Sequence, residues 1–195
     1  GDAMPADLRY EGELPPASES VLHWVVKKLL VAAGRIRVPE YSCQVEDEHD
    51  PQQFSRVAKV PAAMLELRDI RVENRLPGLV PDIICIARDS SGKREEFELL
   101  VEVAVTHKVD EKKLQKIREH GLACLELNAT TFKVGGRVRV GDLSLEVVAD
   151  TDNKRWLFHP QLTIEIAKTR AALKDEIRQA QLAHQEQLDR AFWLR

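Results

Sequence analysis

The sequence has few cysteines, no long apolar run, no excess of either charge and no glycine-rich phosphate loop. Cys43, Cys85 and Cys124 are odd in number and far apart, which excludes a disulfide framework and a CxxC zinc site and suits a reducing compartment. No segment reaches membrane-spanning length and no secretory signal pattern is present, so the expected location is cytoplasmic, with no membrane partner. A net charge of -3 over 195 residues excludes a generally basic nucleic-acid binder. Any contact with phosphates must then come from a local basic patch. There is no Ser-His-Asp pattern, no zinc spacing and no internal repeat.

What is present is an ordinary globular balance, 44% hydrophobic and 31% charged residues, enough for one sizeable core. Residues 1–17 carry Pro15-Pro16 and read as a flexible lead-in. Leu22, Val25, Val26, Leu29, Leu30 and Ala33 recur at helical spacing between a Ser18 cap and a Gly34 stop. Residues 35–43 predict a strand, residues 44–53 an acidic loop and residues 64–75 another strand. The runs 80–87 and 97–105 flank Asp89-Ser90-Ser91-Gly92, and the second alternates strictly at Phe97, Leu99, Val101, Val103 and Val105. Together they predict a β-hairpin.

Asp110 caps a helix that runs through His120, and Gly121 ends it. Residues 122–127 read as a buried strand. Residues 129–150 read as a small hairpin or a loop. Trp156 and Phe158 are packing anchors, and Trp24 also reads as core. From Pro160 onward a single long helix is expected, with a thin apolar stripe of Ile166, Leu173, Ile177 and Ala180. That helix is a self-association segment, a protein-partner segment or a linker. The organisation is thus a lead-in (1–17), an α/β domain (18–160) and a long helix (161–195).

A hairpin turning at Gly92 sets positions 82 and 102 opposite each other, with Cβ atoms roughly 4.5–5.5 Å apart. Asp82 and Glu102 then share one face, and Glu102 lies between Val101 and Val103 in an apolar strand. Two buried carboxylates repel each other and are costly to desolvate, and a divalent cation relieves both costs. Hard oxygen ligands suit Mg²⁺ or Mn²⁺. The plainer alternative is that Asp82 follows Pro81 in a turn and Glu102 pairs with a lysine.

Pro81-Asp82, nineteen residues and then Glu102 in an apolar strand resembles the core of the PD-(D/E)XK nuclease superfamily. Leu79-Val80-Pro81-Asp82-Ile83-Ile84, the run from Val101 to Leu127 and the segment from Asp150 to Pro160 are similar to bacterial competence CoiA-like proteins of that superfamily. The resemblance covers roughly residues 18–160. It implies a mixed central sheet flanked by helices, a restriction-endonuclease-like core, and metal-dependent hydrolysis of nucleic acid, DNA first. It also implies an extra acid from the first helix. Glu19 is that residue, on one stripe with His23 and Lys27.

The motif's lysine, two positions after the glutamate, is Ala104 here. Lys108, Lys113 and Lys116 are the candidates to replace it, and Thr106 and His107 can add hydrogen bonds. Lys112, Lys113 and Lys116 can also contact phosphates, or they form an ordinary solvated helix face. Ala104 equally suits a catalytically inactive nuclease-like module that binds DNA or a protein within a larger assembly.

Overall fold

Apolar residues at helical spacing build α1 (Glu19–Ala33), which buries Leu22, Val25, Val26, Leu29 and Leu30. Gly34 ends it in the left-handed region (φ 58°), with its N–H on the Leu30 carbonyl at 3.0 Å. The computed structural model describes residues 13–14, 19–92, 95–105, 109–134, 137–139 and 143–193, except the side chains of residues 13, 14, 19, 20, 131, 133, 134 and 137–139. His107 and Lys108 lie outside the described residues, as do Thr106 and the Ser18 cap.

The main sheet has six strands. In chain order they are β2 (Arg35–Val38), β5 (Ala63–Val72), β6 (Ile83–Asp89), β7 (Phe97–Ala104), β8 (Ala123–Asn128) and β11 (Lys154–Phe158). Their order across the sheet is β11-β8-β7-β6-β5-β2. Every pairing is antiparallel except β7 with β8. Parallel neighbours need a crossover, and α2 (Glu111–His120) supplies it. The α/β class, the mixed sheet and the long final helix (α4, Pro160–Trp193) are as the sequence predicts. A smaller sheet pairs β1 (Glu13–Leu14) with β10 (Arg137–Arg139) and β10 with β9 (Lys133–Val134), and α3 (Leu143–Val148) follows.

One sheet face carries Ile84, Leu100, Cys124 and Leu157, which pack with Ile117 of α2 and with Leu79. Asp110 caps α2, accepting the Lys113 N–H at 2.7 Å, and Gly121 takes the left-handed conformation after it (φ 66°). Losing a side-chain cap costs about 1 kcal/mol. Asp110→Ala is therefore expected to lower the urea midpoint by that amount of stability, with no change in the slope. A midpoint equal to that of the parent would show that the cap contributes nothing.

The predicted strand over residues 35–43 is two strands. Pro39 has no N–H for a ladder, and the chain breaks there into β2 and β3 (Tyr41–Glu46). The acidic segment beyond is a hairpin loop between β3 and β4 (Ser55–Val60), paired from Tyr41↔Val60 to Glu46↔Ser55.

The chain forms two compact units. One comprises residues 1–40 and 61–160, and the other comprises residues 41–60 and 161–195. In the second unit Val45, Ala58 and Val60 of the hairpin bury Leu162 and Leu173 of α4, with Ile166 and Ile177 partly buried beside them. Of the stripe that the sequence offered to a partner, Ile166, Leu173 and Ile177 are thus used within the chain, and Ala180 is exposed. Further along α4, Leu182, Leu188, Phe192 and Trp193 are exposed. Trp24 departs from its expected core role and is 52% exposed, with the Lys28 amine over its ring at 5.6 Å. Trp156 is buried, as expected, and donates to the Pro39 carbonyl at 2.9 Å. Among the described residues no helix is long and apolar enough to cross a membrane.

Candidate active site

The β6–β7 ladder pairs Ile83 with Val101 and Ile84 with Leu100. Carried one residue further, that register sets Asp82 opposite Glu102. The turn at Gly92 (φ 70°) centres that register, and both faces of β7 are buried from Leu99 to Ala104. On the other side of β7, Glu102 neighbours Glu126 of β8, and Glu126 is paired with Arg155 of β11. Directly paired residues share a sheet face. Asp82, Glu102, Glu126 and Arg155 therefore form a lateral row across four chain segments.

Asp82 is held from two sides. Its Oδ2 accepts the Val103 N–H at 2.8 Å, and its Oδ1 accepts from His23 Nε2 at 2.9 Å. Burial raises the Asp82 pKa, but these two hydrogen bonds outweigh it, and the net result lies below the ordinary carboxylate value. Glu102 is placed differently. Only 3% of it is exposed, and burial pushes its pKa up to about 7 despite the Lys113 amine 2.5 Å from Oε2. Its Oε1 is fully buried and has no hydrogen-bond partner among the described residues. An unpaired buried carboxylate oxygen costs on the order of 1–3 kcal/mol.

A cavity of about 260 Å³ opens onto both carboxylates and is lined also by His23, Ala104, Asp110 and Lys113. Ala104 contributes only a methyl group there. An amine reaches Glu102 from α2: Lys113 lies one turn beyond the Asp110 cap, on the helix that packs on this sheet face.

The sequence candidates separate in space. Asp82, Glu102 and Lys113 come together. Lys116 lies beside Gly78, in the loop before Asp82, and Lys112 is exposed. Glu19 is the first residue of α1, and its side chain lies outside those described, as do His107 and Lys108. The stripe formed by Glu19, His23 and Lys27 is used in part. His23 reaches Asp82, and buried Lys27 reaches Glu73 at 2.5 Å, whose N–H bonds the Asp82 carbonyl at 3.0 Å. The expectation that Glu102 pairs with a lysine is also met, by Lys113. It does not exclude a further ligand, because Oε1 stays unpaired.

Two members went unread in the sequence. His23 appeared only as part of a helical stripe, with nothing to tie it to Asp82. Glu126 carried a usable signal: it is a charge inside the buried-looking run Ala123–Asn128, at the same parity as Cys124. Among the described residues no group of three or more His, Cys, Asp or Glu side chains is gathered as a metal cage. No protein-family model, curated protein or solved structure matches the chain.

Proposed function

We propose that this chain is a metal-dependent nuclease that hydrolyses phosphodiester bonds of nucleic acid, DNA first, in the manner of the PD-(D/E)XK and CoiA-like proteins its sequence resembles. The observation that carries the reading is Glu102, a residue lining the cavity, whose buried Oε1 has no hydrogen-bond partner among the described residues. The order of elements supports it as well: an antiparallel run β5-β6-β7, then α2 and the parallel strand β8, with an acid just before β6 and another inside β7.

The donor set suits Mg²⁺ or Mn²⁺. These hard cations are commonly bound through one or two carboxylates, with water and substrate phosphate completing the shell, so the missing third side chain is no obstacle. Asp82 and Glu102 would hold the cation, which when bound supplies Lewis acidity and a more acidic water. The chain's own residues do the rest. The Val103 N–H and His23 fix the Asp82 carboxylate. Lys113 carries its amine at Glu102, where it can meet charge developing on a phosphoryl oxygen. Lys112 and Lys116, exposed on the same helix, can contact neighbouring phosphates.

A second reading is favoured by one observation, the Lys113–Glu102 ion pair. An acid already neutralised by a lysine suits an inactive module that binds nucleic acid or a partner. Calorimetry with Mn²⁺ separates the two. The parent protein is expected to bind the ion, and Asp82→Asn, which removes one of the two carboxylate ligands, to abolish binding. An absence of binding heat in the parent would sink the nuclease reading. Assays on single- and double-stranded DNA and RNA then identify the substrate.

A further inference from the structure

Glu126 is the most buried acid in the row, 2% exposed, yet it lies outside the cavity. Both of its oxygens are used. Oε1 accepts from Arg155 Nε at 2.6 Å, and Oε2 accepts the Val109 N–H at 3.0 Å. Val109 directly precedes the Asp110 cap, whose Oδ1 takes the Lys113 N–H. The chain therefore runs from β8 through one carboxylate to the first turn of α2, and from there to the amine over Glu102. The geometry points to Glu126 as a positioning residue that ties the start of α2 to the sheet and so holds Lys113 at Glu102.

The physical case rests on what a bond at that point controls. A lysine amine on a four-carbon stem can swing widely, and its place is set by where its backbone starts. The α2 interior is anchored by Ile117, fully buried, one turn beyond Lys113. The first turn of α2 has no fully buried side chain; Leu114 in it and Val109 before it pack only partly against the core. The residue entering the helix, Val109, lies one position before the cap, and its N–H is held by Glu126. Arg155 on the next strand pairs with that carboxylate, and as the counter-charge it keeps Glu126 from adding an uncompensated anion to the row. Removing the carboxylate frees Val109, loosens the cap and lets Lys113 leave Glu102.

That this matters for cleavage rests on the nuclease reading; that it matters for Lys113 does not. The test therefore reads the amine directly, in the full chain. Acetylation of lysines by a soluble active ester, followed by peptide mass spectrometry, reports how freely each amine is exposed, with Lys112 as an internal control. Glu126→Ala is expected to raise the Lys113 labelling rate about ten-fold, within the range that outer-shell partners are worth, while Lys112 is unchanged. Glu126→Gln keeps an oxygen for the Val109 N–H and is expected to restore most of the protection. Cleavage, where present, should lose kcat in the alanine variant with little change in KM.

Unchanged Lys113 labelling in folded Glu126→Ala overturns the proposal. So does Arg155→Gln releasing Lys113 as fully as Glu126→Ala, since it leaves the Val109 bond in place. Where the alanine variant does not fold, hydrogen exchange in the unmodified protein decides. A Val109 amide protected like the β7–β8 ladder supports the strut, and one exchanging like an open loop removes it. A parent that cuts nothing while Lys113 labelling follows Glu126 leaves the strut standing and sinks the nuclease reading. Normal cleavage with unmoved labelling does the reverse.

Discussion

On the nuclease reading, replacing Lys113 with alanine is expected to slow single-turnover cleavage by about 10²–10³-fold, the usual loss when one preorganised charge-stabilising donor is removed. Mn²⁺ affinity should hold or rise. The asymmetry follows from the site's geometry. The amine lies 2.5 Å from Glu102 Oε2, so it competes with a cation for the same carboxylate, and its removal relieves that competition. Among the described residues lining the cavity the same amine is the lysine that can carry positive charge to a phosphate, and position 104 offers only a methyl. Lys116→Ala, beside Gly78 rather than Glu102, should change substrate affinity and leave the chemical step alone. A Lys113→Ala variant that cuts as fast as its parent would remove the lysine from the mechanism and leave it as a counter-ion for Glu102.

Glu102→Gln is expected to abolish Mn²⁺ binding and to invert part of the pH dependence of stability. Burial raises the Glu102 pKa to about 7 from an ordinary 4.5. Between those values the folded chain holds a proton that the unfolded chain has released. Stability therefore falls as pH rises through that window, and the loss is complete above about 7. The scale is on the order of 3 kcal/mol from the shift alone, lessened in practice because Lys113 is partly exposed and water reaches it. Asp82 runs the opposite way. Its pKa is lowered in the fold, so its contribution is present above the ordinary carboxylate range and is lost as pH falls. Comparing denaturation of parent and Glu102→Gln from pH 5 to 8 isolates the first effect: the variant should gain on the parent as pH rises. Adding Mn²⁺ at pH 7.5 should stabilise the parent alone, since a ligand of the native state raises its stability. A variant that loses ground against the parent with rising pH would mean that the Lys113 pair outweighs the burial of Glu102.

Local chemistry was enough to read the acidic pair. A turn centred at Gly92 sets the expected register, and that register is the observed one, with both faces of β7 buried from Leu99 to Ala104. The caps at Asp110 and Gly121 bound α2 in the same way, since capping depends on residues within one helical turn. The two-strand break at Pro39 was equally local and was missed, because the apolar pattern continues across a residue that cannot join a ladder.

By itself the sequence determined the α/β class, the Asp82–Glu102 hairpin, the limits of α2 and the long final helix, all of which depend on spacing along the chain. Only the tertiary structure decided which lysine meets Glu102, that His23 meets Asp82, that Glu126 holds Val109, and that the apolar stripe of α4 is covered by residues 41–60. These contacts join different elements, as with Lys113 to Glu102 at a separation of 11 and Val109 to Glu126 at 17. No periodicity encodes them. They follow from how far a helix slides along a sheet before its buried side chains lock, which is a property of the packed core and not of any one segment.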